Sequence, residues 1–325
     1  MLNGSWSAPV PSVGRRGDGA GLFYPGKVHT VSSESEGGKT WLALAAVLAE
    51  LERGEHVLYV DFEDDEGGIV GRLLNLQADP HVIAERFHYL RPEDPIGTGI
   101  HRDDLVGLLE TYQPTLAVID GVTEALTMHG LDPNSNSDVA KFGRLLPRLL
   151  AAQGAASVSL DHVTKSTEGR GRYSIGAVHK LNGLDGAAYV LENRNPFGVG
   201  ITGRSTLKIG KDRPGQLRKQ ALPSAGGLFW FADLVLTSYA EGFGEVTVAA
   251  PSEQQSGDDF RPTIYMGRIM AVIEEHGPLS KRMIRAAVTG KAMTVDKALD
   301  RLILDGYLTE STPHTKLKTW AGDKT

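Results

Sequence analysis

No cysteine occurs in the 325 residues. That excludes disulfides, zinc–thiolate centres and cysteine nucleophiles, and it fits a reducing, cytoplasmic setting. No apolar run reaches the ~18 residues that a membrane-spanning helix needs. The N-terminus carries no basic-then-apolar leader. An excess of positive charge is missing too: the net charge is −6, so the whole chain has no nucleic-acid signature. The charge is uneven, however. Residues 261–325 hold eleven Lys/Arg against seven Asp/Glu, a net of +4, which leaves −10 for the rest. A basic C-terminal module on an acidic body follows. The length suits one large α/β domain and one small domain.

What is present begins at Val28. An apolar strand over 28–31 runs into a small polar loop, SSESEGG, and Lys39-Thr40 open a helix with Leu42, Leu44, Ala45, Leu48 and Leu51 on one face. Strand, glycine-containing loop, GKT and helix make a phosphate cradle. Ser35, Glu36, Gly37, Gly38, Lys39, Thr40 and Trp41 would surround the nucleotide. Backbone N–H groups at the helix start meet phosphate oxygens. Lys39 neutralises the β- and γ-phosphates, and the Thr40 hydroxyl ligates Mg²⁺. The pattern G-x-x-x-x-G-K-[ST] asks for Gly at position 33, where this chain has Ser33. A serine there requires a negative φ.

Taken in order, residues 1–22 read as a Gly/Pro/Ser-rich arm. Strands follow at 28–31, 56–62, 87–90, 116–120 and 155–160, alternating with helices, and one helix over 138–153 is interrupted at Pro147. That alternation predicts an α/β domain over 23–250 with a mainly parallel sheet covered on both faces. From Ala187 the runs AAYVLEN, STLKIGK, QLRKQAL, GLFWFAD and EVTVAAP predict antiparallel strands extending that sheet. Residues 251–260 read as a linker. Residues 261–325 give three helices and a terminal hairpin (308–310 with 316–320), the pattern of a small winged helix-turn-helix domain.

Ligands bind at the carboxyl ends of strands in an open α/β sheet, and four such ends carry chemistry. The first holds Lys39 and Thr40. The second holds Glu63, placed to activate a water, with Glu66 and Asp64 as alternatives. Asp120 follows LAVI in the arrangement of a Mg²⁺-holding carboxylate. His162, preceded by Asp161, ends the fourth strand, where an imidazole can contact a γ-phosphate.

The set GGKTWLAL, VLYVDFED, LAVIDG, SLDHVTK and GKDRPG resembles the RecA-like ATPase core of hexameric replicative helicases, nearest to the plasmid RepA type and its phage relatives, with DnaB-type helicases more distant. The resemblance spans roughly residues 23–235. It implies a P-loop NTPase using ATP and Mg²⁺, with Lys39 and Thr40 as the Walker A pair, Glu63 as the catalytic glutamate, Asp120 as Walker B and His162 as the γ-phosphate sensor. It also implies that Lys211 and Arg213 form a finger reaching into a neighbouring subunit of a homo-oligomer, a hexamer, with Lys208 as a substitute. The loop after His162, with Lys165, Arg170, Arg172 and Lys180, would face a central channel and meet single-stranded DNA through backbone phosphates.

In the C-terminal module, Lys291, Lys297 and Arg301 on the third helix and Lys316 and Lys318 on the wing suit duplex phosphates, or the module docks on a replication protein. These readings give a ring-forming DNA helicase. The alternative is an ATP-dependent DNA-binding switch without unwinding, such as a helicase loader, recombination mediator or regulator. Neither involves a membrane.

Overall fold

The computed structural model describes residues 7–162, 183–239, 242–251, 263–288 and 292–320. The chain divides into two compact units, one of residues 1–197 and 203–251, the other of residues 198–202 and 252–325.

The first unit is built on one ten-stranded sheet. Its parallel strands are β3 (Val28–Ser33), β4 (Val57–Asp61), β5 (Phe87–Leu90), β6 (Leu116–Asp120), β7 (Ala156–His162) and β8 (Ala187–Asn195). They lie in the order β8-β3-β7-β6-β4-β5. The sheet continues through β9 (Thr202–Asp212), antiparallel to β8, then β11 (Phe229–Ser238), flanked by β10 (Leu222–Pro223) and β12 (Gly244–Ala249). β11 pairs antiparallel with both of these. This is the mixed α/β sheet expected for a RecA-like P-loop fold.

Alternate residues serve opposite faces, as the period of two requires. Val57, Tyr59, Val118, Val158 and Leu160 pack with α1 (Lys39–Glu52), α2 (Glu66–Asn75) and α3 (Pro80–Arg86). Leu58, Val60, Ala117 and Ile119 pack on α4 (Gly99–Tyr112), α5 (Val122–Met128), α6 (Asn136–Leu145) and α7 (Pro147–Ala152). Burial on both faces explains why these strands read as continuous apolar runs. The helix expected over 138–153 is two helices, because Pro147 removes an N–H and starts α7.

Two expectations are corrected. The arm expected over 1–22 is, from Val13, a hairpin of β1 (Val13–Arg15) and β2 (Gly21–Phe23). Val13 and Leu22 enter the core. Gly14 N–H donates to Glu50 Oε1 at 2.9 Å. The buried Arg16 guanidinium donates to Asp18 through two nitrogens and to the carbonyls of Gln220 and Phe231. The glycines that suggested a linker are needed for the turn: Gly19 has φ 90°, and a Cβ on Gly21 would lie 2.2 Å from the Pro11 carbonyl oxygen. The strand expected at 216–222 is instead a 3-10 turn at Arg218–Gln220 followed by β10. Asp212 accepts from the N–H groups of Gly215 and Arg218 and curls the chain there.

In the second unit, α8 (Thr263–His276), α9 (Lys281–Ala287) and α10 (Ala292–Leu304) close a core of Met266, Ile269, Met270, Ile273, Ile284, Leu299 and Leu302. Ile201 packs on this core. Ser280 caps α9 by accepting from Met283 N–H. The expected terminal hairpin is reduced, among the described residues, to single bridges at Leu308–Lys316 and Leu279–His314. Tyr307 and Trp320 pack edge to face at 4.8 Å. Of the linker expected over 251–260, residues 252–260 lie outside the described residues. Among the described residues no helix is long and apolar enough to cross a membrane.

Candidate active site

Strands β3, β4, β6 and β7 bring their ends to one edge of the sheet. Register aligns Ser33 with His162 and Asp61 with Asp120. Helix α1 starts behind Gly38, which is left-handed at φ 95°, and no side chain caps it. Its first N–H groups are therefore open to an anion. A Cβ on Gly38 would sit 2.7 Å from the Phe197 ring, so only glycine fits. Ser33 stays in the extended β3, and the loop's left-handed residue other than glycine is Glu36, at φ 59°. The Ser33 side chain is accommodated because its neighbour is Gly37, where a Cβ would lie 2.5 Å from Ser33 Oγ. Ser205 Oγ donates to the Gly37 carbonyl at 2.9 Å and steadies the loop from β9. Ser35 and Glu36 are exposed, and Trp41 packs partly into the core.

Lys39 is buried, with Nζ 3.4 Å from Ser33 Oγ and 3.3 Å from His162 Nδ1. Burial lowers its pKa, while Asp120, Glu63 and Asp161 oppose the shift. Lys39 can only donate, so His162 Nδ1 accepts and Nε2 carries the proton. That Nε2 lies 3.5 Å from Glu63 Oε1. Lys39, His162 and Glu63 thus form a continuous chain of contacts. Burial, then the charge of Asp120 and a hydrogen bond with Glu124, push the Glu63 carboxyl up to about 7. A base poised there suits proton abstraction at neutral pH.

Asp120 is buried, and burial raises its pKa. Its Oδ2 accepts from Tyr59 Oη at 2.6 Å and from Thr40 Oγ1 at 3.4 Å. Hydroxyl and carboxylate oxygens adjacent to a phosphate cradle are hard donors that suit Mg²⁺. A cation there would also relieve a carboxylate that burial disfavours. The residues fit the metal.

The alternatives to Glu63 have other duties. Asp64 pairs with Arg72 at 2.7 Å, and Glu66 opens α2. Asp61 holds the turn: its Oδ1 accepts from the N–H groups of Glu63 and Asp64, and its Oδ2 from Tyr89 Oη at 3.1 Å. Sequence reasoning missed Tyr59, Tyr89, Glu124, Phe197 and Ser205, and gave Asp61 no role. The alternation in VLYVDF already places Tyr59 and Asp61 on one face. The other contacts need cross-strand register.

Lys211 and Arg213 are not at this edge. Lys211 faces Ala188, and Arg213 N–H donates to the Gly186 carbonyl, level with the start of β3. Lys211 Nζ donates to the Leu184 carbonyl at 3.0 Å, and Arg213 is exposed. Lys208 is buried in an ion pair with Glu192 at 2.7 Å.

Of the expected DNA contacts, Lys165, Arg170, Arg172, Lys180 and Lys291 lie outside the described residues, as does the Lys297 side chain. Arg301 pairs with Asp305 at 3.1 Å, Lys316 pairs with Glu274, and Lys318 Nζ sits 4.3 Å from the Tyr307 ring centre.

Residues 15–168 match the family AAA_25, described as an AAA domain. The stretch includes Lys39, Thr40, Glu63, Asp120 and His162, and it carries a P-loop NTPase domain. No curated protein matches the chain.

Proposed function

We propose that this chain, with its AAA domain at residues 15–168, is an ATP-hydrolysing DNA motor, a ring-forming helicase that translocates on single-stranded DNA. Lys39 binds the β- and γ-phosphates. Glu63 takes the proton of the attacking water as its oxygen bonds to the γ-phosphorus and ADP leaves. His162 passes its contact from Glu63 to the γ-phosphate and so reports the nucleotide to the segment beyond β7. Thr40 and Asp120 would hold Mg²⁺, which would supply positive charge against the phosphates. The residues after His162 would meet the DNA backbone.

One observation carries the ring. Arg213 lies level with Val28, five residues before Ser33, which is about 16 Å along the sheet at 3.3 Å per residue. It cannot reach the phosphates of its own subunit, so a finger role requires a neighbour. We read residues 263–320 as a winged-helix unit that docks on a replication protein rather than on duplex DNA, because Arg301 and Lys316 are spent on carboxylates.

The test is ATP turnover with and without single-stranded DNA, run beside unwinding of a forked duplex. Stimulated turnover with unwinding is expected. Stimulation without unwinding would favour the ATP-dependent DNA-binding switch. Absence of turnover would sink both.

A further inference from the structure

Tyr59 is fully buried and stands two residues before the end of β4. It faces Val118, and Asp61 faces Asp120, so Tyr59 and Asp120 are diagonal neighbours on the α1 face of the sheet. The phenol donates to Asp120 Oδ2 at 2.6 Å. A second pair repeats the motif one strand outward, where Tyr89 donates to Asp61. The two rings stack at 6.3 Å, 14° from parallel. A buried carboxylate with one short, oriented donor cannot rotate freely without losing that bond.

We propose that Tyr59 is a positioning residue for magnesium: its hydroxyl fixes the rotamer of Asp120 before nucleotide arrives and sets the affinity of the site for the metal. The Thr40 contact at 3.4 Å is long, so Thr40 can turn its hydroxyl to the cation while Tyr59 keeps the carboxylate in place. Hydrogen-bond donors that orient a metal's ligands typically change metal affinity by about 10–100-fold. Tyr89 acts differently, holding the Glu63 turn through Asp61. The inference rests on the reading of Thr40 and Asp120 as the metal-binding pair.

The experiment measures binding of a fluorescent ADP analogue to the full chain, first in EDTA and then across a Mg²⁺ titration. Tyr59→Phe should keep the wild-type affinity in EDTA but need at least about tenfold more Mg²⁺ for half-maximal tightening. Saturating Mg²⁺ should restore wild-type affinity. Tyr89→Phe removes the part-buried Tyr–Asp bond one strand outward and should keep the wild-type Mg²⁺ requirement. In an Asp120→Asn background, adding Tyr59→Phe should change nothing further, since the carboxylate it orients is gone. An unchanged Mg²⁺ requirement in folded Tyr59→Phe, or an equal rise in both tyrosine variants, would overturn the proposal. A wild-type chain that binds the analogue without any Mg²⁺ dependence would overturn the metal-site reading beneath it.

Discussion

The charges at the edge of the sheet and those in residues 263–320 are held in opposite ways. At the edge, burial depresses the Lys39 ammonium and raises the Glu63 and Asp120 carboxyls, and the three stand together without a settled ion pair. In the C-terminal unit several ions are matched. Arg285 grips Asp296 through two nitrogens, Lys281 reaches Asp300 at 3.5 Å, Arg301 meets Asp305, and Lys316 meets Glu274. The Arg285 guanidinium holds the Asp296 carboxyl below its ordinary value. Desolvated, mismatched charge is costly to maintain, and it is found where a ligand completes the match. Paired surface charge contributes little and asks for nothing. The contrast agrees with chemistry at the first region, and it is consistent with the proposal that the second docks on a partner.

The contrast can be broken most sharply by removing Lys39 from the first region, or the Arg213 that would complete that region in a neighbour. Arg213→Ala should cut turnover by about 10³-fold if it completes a neighbour's site. Lys39→Ala should abolish turnover, yet mixing the two variants should recover part of it. No recovery in the mixture would remove the shared-site account. A second test asks whether all buried mismatch in this unit is functional. His29 is fully buried, accepts from Ala187 N–H, and has its pKa pushed down to about 4. A depressed histidine is neutral in the fold and charged in the unfolded chain below about 6.5. Stability should therefore be complete above pH 6.5 and fall by about 3 kcal/mol as the pH drops towards 4. Denaturant melts across that window check it.

A smaller effect concerns Glu124. Burial and the neighbouring acids hold Glu63 near 7, so turnover should rise as the pH passes upward through about 7. Glu124→Gln removes a like charge and should move that limb to lower pH, which a pH–rate profile would read. The smallest effect belongs to the second region. Arg301→Met should change unfolding free energy by no more than about 1 kcal/mol, because the part-buried Arg301–Asp305 pair spans only one helical turn. A larger loss in urea melts would show that the C-terminal pairs hold the unit together.

Periodicity and strand ends made the sheet legible. LAVID and VLYVD are apolar because both faces are covered, and their last residues bring Asp61 and Asp120 to the site. The short helix α5 was not legible: it begins immediately after Asp120-Gly121 and spans seven residues, too short to show a period. The hairpin at 13–23 was hidden because its glycines, which enable the turn, also mimic a linker. Tyr59 and Glu124 were invisible for another reason. A tyrosine in a strand and a glutamate in a helix look ordinary until register sets them beside Asp120 and Glu63. In the C-terminal module, composition gives the net charge of +4 but not the pairing of Arg301 with Asp305 and of Lys316 with Glu274, which the fold supplies.

The central claim is that Glu63 activates water at the P-loop site. It is tested most directly by Glu63→Gln, measuring ATP turnover and fluorescent ATP-analogue binding on the same preparation. The account predicts turnover reduced by at least about 100-fold, with analogue affinity within a few-fold of wild type. Wild-type turnover in this variant would contradict it.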